Sequence, residues 1–583
     1  PALALYRQIV DANAESGNSS ATLRRTLAPY FALLAQQASR PEAVADMFKA
    51  SQVLVRPGVA QTQAVLAREL SGGSDDASRL FRQSVTLTRD IERTRVDISR
   101  LSSLAEPTAS DRARLAELQT QLAQMEKDQV ATQAKLAEFP RYRVVSAGAM
   151  SLADLQQVLR EGEAYYKMVM VDDDGYALFV TPTAARAFRL GVGPDEMERQ
   201  VDGLRDTIST VENGRLVTYP FNVELAHKLY GELFQPVAAE LADVRHLVFE
   251  PDGAMLRLPA NLLVTEHAGV DAYLAKASRP ENDGFDFSDV KWLGRGRDVS
   301  TAVSTRSFRD VRKVERSNAA HDYIGFGENA PPAGVARTES LFRGLTDAGA
   351  DCSWSIAEWG RPISSEELRT ASQILGGGED TAVVTGQAFT DTSIKGREDL
   401  SQYRIMHFAT HGLVTAPRPD CPARPALMTS FGEGESDGLL TFREIYDLRI
   451  DADLVILSAC DTAGKATVAT TREAGVTTGG DYALDGLVRA FVGAGGRSVI
   501  ASHWPVPDDY DATKRLISGL FTASPGTPTA TALRAAQTAL MDEAATSHPY
   551  YWSGFAIIGD GAMPVVSPTE DGVSVAGNLA GQP

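Results

Sequence analysis

Cysteine is scarce in this chain. Cys352, Cys421 and Cys460 are its only three among 583 residues, too few and too scattered for a disulfide framework or a C-x-x-C metal site. Free thiols in a reducing, cytoplasmic compartment are the expectation. Long apolar runs are missing as well. None approaches the roughly 18 residues that a membrane span needs, and the opening P-A-L-A-L-Y-R-Q is interrupted too early for a secretory leader. No membrane association is expected, although a chain that begins with Pro1 rather than Met leaves trimming of a leader open. Basic charge is in deficit: 57 Lys plus Arg stand against 76 Asp plus Glu, a net charge of −19, and no compact basic stripe offsets it. Direct nucleic-acid binding, which depends on neutralising phosphates, is therefore not expected. Histidines number only eight, so the position of each one in the pattern carries weight.

The length calls for roughly three or four domains. Residues 1–74 read as helices, with apolar side chains spaced by three and four over Ala21 to Ala38, Pro41 to Val55 and Val59 to Leu70. Paired helices of this size resemble the end of a helical-repeat array, without a clear internal match. Residues 75–140 read as an antiparallel helical hairpin broken at Glu106-Pro107. Leu87, Ile91, Thr94, Ile98 and Leu101 form one seam and Leu115, Leu118, Leu122 and Met125 the other. Ser110 is the expected cap of the second helix.

From Arg141 strands alternate with helices, the signature of a mostly parallel α/β sheet with helices on both faces. Ala164 to Asp172 and Tyr176 to Pro182 flank a D-D-D-G turn, and H-L-V-F-E at His246 to Glu250 is a further strand. Residues 269 to 290, rich in Gly, Asp, Ser and Pro, read as an exposed loop. A second α/β block opens at Asp322 and runs to Asp560, with a helix expected around Ser340 to Gly349. This divides the sheet region into 141–318 and 319–560, followed by a disordered tail over 561–583.

Two stretches concentrate the chemistry. Ile405 to Gly412 (I-M-H-F-A-T-H-G) and Leu454 to Thr462 (L-V-I-L-S-A-C-D-T) are short apolar runs, each ending in a reactive side chain beside a small residue. A parallel sheet delivers catalytic groups to its carboxyl edge in this way. The first delivers His411, the second Cys460, a candidate thiol nucleophile with a base to manage its proton. The backbone N–H groups of Gly412 and Cys460 are candidate oxyanion donors. Alternation puts His407 deeper on the same face as His411, where a hydrogen-bonded core imidazole is expected. The bland reading of Cys460 is a small buried hydrophobe. His407, His411, Cys421 and Cys460 match no zinc-ligand spacing, and no metal or cofactor is expected.

H-F-A-T-H-G is followed in order by D-G-L-L-T-F-R-E-I-Y-D-L (Asp437 to Leu448), D-L-V-I-L-S-A-C-D-T-A (Asp453 to Ala463), G-L-V-R-A-F-V-G-A-G-G-R-S-V-I-A-S-H-W-P-V (Gly486 to Val506) and H-P-Y-Y-W-S-G-F (His548 to Phe555). These blocks resemble the CHAT domain, the caspase-like domain found beside tetratricopeptide repeats in the cysteine-peptidase clan of caspases and separase. The resemblance runs from about Arg141 to Asp560. It implies a caspase-like fold with a non-catalytic and a catalytic half, with His411 as catalytic histidine and Cys460 as nucleophile of a dyad that hydrolyses peptides through a thioester.

A protein substrate follows from the resemblance, and the helical region, residues 1–140, is the expected site for a regulatory protein partner. The other reading is a catalytically silent scaffold. Relatives are implicated in bacterial defence and cell death. Two departures stand out. His503 occupies a position usually filled by Leu, where it either fills space, the favoured reading, or touches specificity, and Gly464 to Tyr482 is longer than usual, read either as a mobile surface loop or as an activation loop or self-cleavage segment. Asp461, Asp485 and His503 are the candidates for the substrate pocket, with carboxylates suited to a basic side chain.

Overall fold

The computed structural model describes residues 2–16, 21–54, 76–102, 108–136, 139, 150–212, 215–280, 284–332, 359–378, 381–413, 425–434, 436–460, 481–504 and 509–566. Three strands begin the sheet: β1 (Glu163–Val171), β2 (Asp174–Val180) and β3 (Ala185–Arg189) form an antiparallel meander. Its first turn is tighter than the D-D-D-G motif implied. Val171 pairs with Asp174, so two residues close it, with Asp172 at φ 54°, the left-handed backbone such turns require. A separate ribbon of β4 (Thr210–Glu212) and β5 (Arg215–Val217) follows.

The remaining strands are β6 (His246–Glu250), β7 (Asp298–Thr301), β8 (His321–Asn329), β9 (Thr381–Gly386), β10 (Tyr403–Leu413), β11 (Ala426–Met428), β12 (Leu439–Thr441), β13 (Leu454–Cys460), β14 (Ser498–Ser502) and β15 (Phe555–Gly559). Among the described residues they join β1–β3 in one sheet, ordered β9-β8-β10-β13-β14-β15-β7-β6-β1-β2-β3, with β11 and β12 branching from the end of β10. Most of its pairs are parallel. The two halves are thus one sheet, joined where Ile558 of β15 pairs with Thr301 of β7.

Alternation along the strands sorts side chains to two faces. On β1, Tyr165, Val169 and Val171 pack with Leu27, Phe31 and Phe48 of the helices Ala21–Gln36 and Pro41–Val53. Tyr166, Met168 and Met170 turn the other way, into a core with Leu204, Leu229 and Phe234. In the second half, Ile324, Phe326, Met406, Phe408, Val455 and Leu457 meet Leu487 and Phe491 of the helix Asp481–Ala494. Tyr323, Ile405, Leu454 and Ile456 belong to the opposite core with Leu516, Leu520 and Leu540. Burial on both faces explains the continuous apolar runs of these strands.

Ahead of the sheet, Asp76–Ser102 and Ala109–Leu136 are two long helices packed against each other. The second is capped by Thr108 rather than Ser110: Asp111 N–H donates to Thr108 Oγ1 at 3.2 Å, and Thr108 N–H donates to Asp111 Oδ2 at 2.8 Å. Asp111 supplies the reciprocal partner that Ser110 lacks. The expected helices at Val59 to Leu70 and Ser340 to Gly349 lie outside the described residues.

Residues 269 to 290 do not form an exposed loop. They begin within the helix His267–Ala277, and Phe287 and Val290 are fully buried, with the Phe287 ring stacked 4.6 Å from Tyr273. A few well-placed apolar residues outweigh the polar composition around them. Residues 561–566 are likewise packed: Thr529 N–H donates to Met563 O at 2.8 Å and Gly526 N–H to Val566 O at 2.8 Å. The rest of the expected tail lies outside the described residues. Among the described residues, no helix is long and apolar enough to cross a membrane.

Candidate active site

β10 and β13 run parallel in a ladder that begins at Ile405 with Leu454 and ends at His411 with Cys460. Neighbouring strands lie about 4.8 Å apart, so the last rung brings the two residues side by side. On the other edge β8 pairs only as far as Ala409. Its Gly327 permits this approach, since a Cβ there would stand 2.3 Å from Ala409 O. Beyond His411, β10 takes a different partner, with Gly412 opposite Leu427 and Leu413 opposite Ala426 of β11. The sheet therefore forks at the candidate site.

Burial changes at the same point. His407, Ala409 and Phe408 are fully buried and Thr410 nearly so, whereas His411 and Gly412 are partly exposed. Thr410 fastens the strand end by donating its hydroxyl to Met428 O at 2.6 Å. His411 is thus partly exposed where His407, on the same face of β10, is fully buried.

The imidazole of His411 has one defined partner: its Nε2 lies 2.5 Å from the carbonyl oxygen of Arg361. A carbonyl can only accept, so Nε2 carries a proton, and of the two neutral tautomers this contact selects the one with its lone pair on Nδ1. Arg361 precedes Pro362, which biases its backbone toward an extended conformation. Two residues earlier, Trp359 is fully buried, and its own carbonyl accepts from Asn329 Nδ2 at 3.1 Å at the end of β8.

His407 is set apart from this site. Tyr323 Oη lies 3.0 Å from its Nδ1, and Glu367 Oε1 lies 3.4 Å from its Nε2. Burial, reinforced by Glu367, pushes the Tyr323 phenol well above its usual range. His407, Tyr323 and Glu367 form a buried polar cluster beneath the sheet edge, with one hydrogen bond, between Tyr323 and His407 Nδ1, and among the described residues none at His407 Nε2 or Glu367 Oε1.

Of the pocket candidates, His503 follows β14 and is 3% exposed. Its N–H donates to Gly554 O at 2.9 Å, and its carbonyl accepts from Arg205 Nη1 at 3.2 Å. Burial first, and the nearby Arg205 second, push its imidazole down to about 3. It fills the core as a neutral ring. Asp461 and the segment 464–480 lie outside the described residues, as do the side chains of Cys460 and Asp485, the latter on the helix Asp481–Ala494. Among the described residues, no group of His, Cys, Asp or Glu is arranged to hold a metal ion.

Sequence reasoning missed the Arg361 carbonyl and the anchor beside it. A backbone acceptor has no side-chain signature. The available signal was a Trp-Gly-Arg-Pro run, a large aromatic flanked by chain-breaking residues outside any periodic segment.

Comparison with known proteins follows the same region. The model of the CHAT domain family matches residues 223–560, more than half of the chain. The match ends at Asp560, where the sequence resemblance ends, but begins later than Arg141, although β1–β3 are hydrogen-bonded into the same sheet. Tetratricopeptide repeat protein 28 of Homo sapiens is 30% identical over 234 residues, 34% of this chain and 8% of that protein. Its Mus musculus counterpart is 29% identical over 237 residues, 34% and 9% respectively. The chain therefore spans less than a tenth of the length of the curated relatives it matches. Among solved structures, the Saccharomyces cerevisiae separase–securin complex aligns with a TM-score of 0.36 at 10% identity, covering 92% of this chain and 47% of that one. The complex of Porphyromonas gingivalis RgpB pro- and mature domains aligns at 0.31 and 10%, covering 64% and 77%.

Proposed function

Because this chain belongs to the CHAT domain family, we propose that it is a cysteine endopeptidase acting on a protein substrate through Cys460 and His411. The observation that carries the reading is the final rung of the β10–β13 ladder, where His411 is the Cα partner of Cys460. With Nε2–H committed to Arg361 O, Nδ1 is the nitrogen available to take a proton.

The Cys460 thiol gives its proton to His411 Nδ1, and the thiolate attacks the scissile carbonyl carbon. Backbone N–H groups at Gly412 and Cys460 receive the oxyanion. Collapse of the tetrahedral adduct breaks the C–N bond, and the leaving amine takes the proton from Nδ1, leaving a thioester. Water then attacks the thioester and gives a proton to Nδ1. The carboxylic acid product leaves, and the proton returns to sulfur. His411 thus serves as base and acid in turn.

Regulation enters through residues 1–140, where the helices Ala21–Gln36 and Pro41–Val53 cover one face of β1–β3 and the paired long helices offer a surface for a protein partner. The test is turnover of a peptide library with and without candidate partners, in wild type, Cys460→Ala and His411→Ala. Cleavage that disappears in both variants supports the reading. Binding of a partner with no cleavage under any condition, and no thiol reactivity at Cys460, points instead to a scaffold.

A further inference from the structure

We infer that Trp359 is a positioning residue for His411, acting through the Arg361 carbonyl; the inference rests on the proposed role of His411. Trp359 is held on several sides. Its ring is fully buried and clusters with Leu413 and Met428, with Phe431 and Leu439 packed against them. The Phe431 ring lies 5.3 Å away. Its Nε1–H donates to Thr429 O at 3.0 Å and reaches Gly438 O at 3.3 Å. Gly438 has φ +76°, and a Cβ there would stand 3.0 Å from Trp359 Nε1, so glycine is required both by backbone conformation and by the close approach of the indole.

These contacts tie Trp359 to the elements that form the fork at the strand end. Leu413 lies two residues beyond His411 on the same strand, so the two share a face of β10. Thr429 follows β11 and Gly438 precedes β12. On the backbone side, the Trp359 carbonyl accepts from Asn329 Nδ2 at the end of β8. Only Gly360 separates this anchored residue from Arg361, whose carbonyl fixes the His411 proton on Nε2. Arg361 and Gly360 are both exposed, so among the described contacts Trp359 is what keeps the carbonyl where the imidazole finds it. A tautomer held by an acceptor is only as well defined as the acceptor's own position.

The test follows the imidazole by nitrogen-15 NMR in chain labelled at histidine, with the His411 signal assigned by its loss in His411→Gln. In wild type the proton is expected on Nε2. Trp359→Phe keeps a ring and removes the indole N–H, and Trp359→Leu removes the ring. Both are expected to give mixed tautomers, and alkylation of Cys460 by iodoacetamide at neutral pH is expected to slow by on the order of 10-fold. Trp552→Phe, at an equally buried Trp whose Nε1 donates to Ser547 O at 2.9 Å, is expected to change neither readout. If Trp359→Leu does not fold, Trp359→Phe decides. A folded Trp359→Phe with the wild-type tautomer and alkylation rate overturns the inference, even where alkylation still needs His411. A tautomer shift alongside alkylation that ignores His411 upholds the positioning role and removes the peptidase reading instead.

Discussion

His411 and Cys460 are Cα partners at the last rung of the parallel ladder between β10 and β13. One residue later β10 leaves that ladder and pairs with β11. The placement follows from elementary sheet geometry: the buried rungs set the register, and His411 is the first position of β10 beyond them that is partly exposed.

The two halves of the sheet are fastened by a buried ion cluster. Arg312 donates from Nη2 to Glu163 Oε1 at 2.7 Å and to Asp560 Oδ1 at 2.9 Å, while His246 Nδ1 lies 3.2 Å from Glu163 Oε1. Burial pushes the Glu163 carboxyl up, but the hydrogen bonds from Arg312 and His246 outweigh it and hold the group well below the usual carboxylate range. Glu163→Ala leaves Arg312 buried with half its partners. Chemical denaturation is expected to register a loss of about 3–5 kcal/mol; a loss under ~1 kcal/mol contradicts this role.

His503 gives the fold a pH dependence. Its folded value of about 3 lies below the ordinary value near 6.5, so the unfolded chain binds the extra proton between those limits. Stability is full above about pH 6.5 and declines as pH falls toward 3, by about 1.4 kcal/mol per pH unit for one such group. His548, pushed down to about 4 by burial, adds to the same decline. His503→Leu is expected to flatten the curve of stability against pH by roughly one group's share, and an unchanged slope counts against a buried neutral His503.

Asp437 acts with the opposite sign. Burial first, then Asp391 and Glu444, push its carboxyl up to about 6, although it accepts the Leu439 N–H at 3.0 Å. Its stabilising contribution is present below about pH 3.9 and is lost as pH rises through 6. Asp437→Asn keeps the acceptor and removes the charge. Thermal denaturation is expected to give a gain of about 1–2 kcal/mol at pH 7.5 and little change at pH 4. The reverse pattern contradicts the assignment.

Much of the sheet was legible because its strands are buried on both faces. Phe408 and Leu457 meet one core and Ile405 and Ile456 the other, which leaves an uninterrupted apolar run in the sequence. β7 escaped notice because Asp298–Thr301 reads D-V-S-T, too short and polar to signal a strand, yet it is the hinge that makes two expected blocks one sheet. His411 and Cys460 were legible as the close of two apolar runs; they are partners at the last rung of the β10–β13 ladder, although β10 itself continues to Leu413. The Arg361 carbonyl was not, because its role comes from a tertiary approach of two segments 50 residues apart.

The most direct measurement is labelling of Cys460 by an electrophilic thiol probe, read by mass spectrometry in wild type, His411→Ala and His407→Gln, with and without candidate partners. Labelling at Cys460 is expected in wild type, with a loss on the order of 100-fold or more in His411→Ala and retention in folded His407→Gln. Equal labelling of wild type and His411→Ala would contradict the Cys460–His411 dyad.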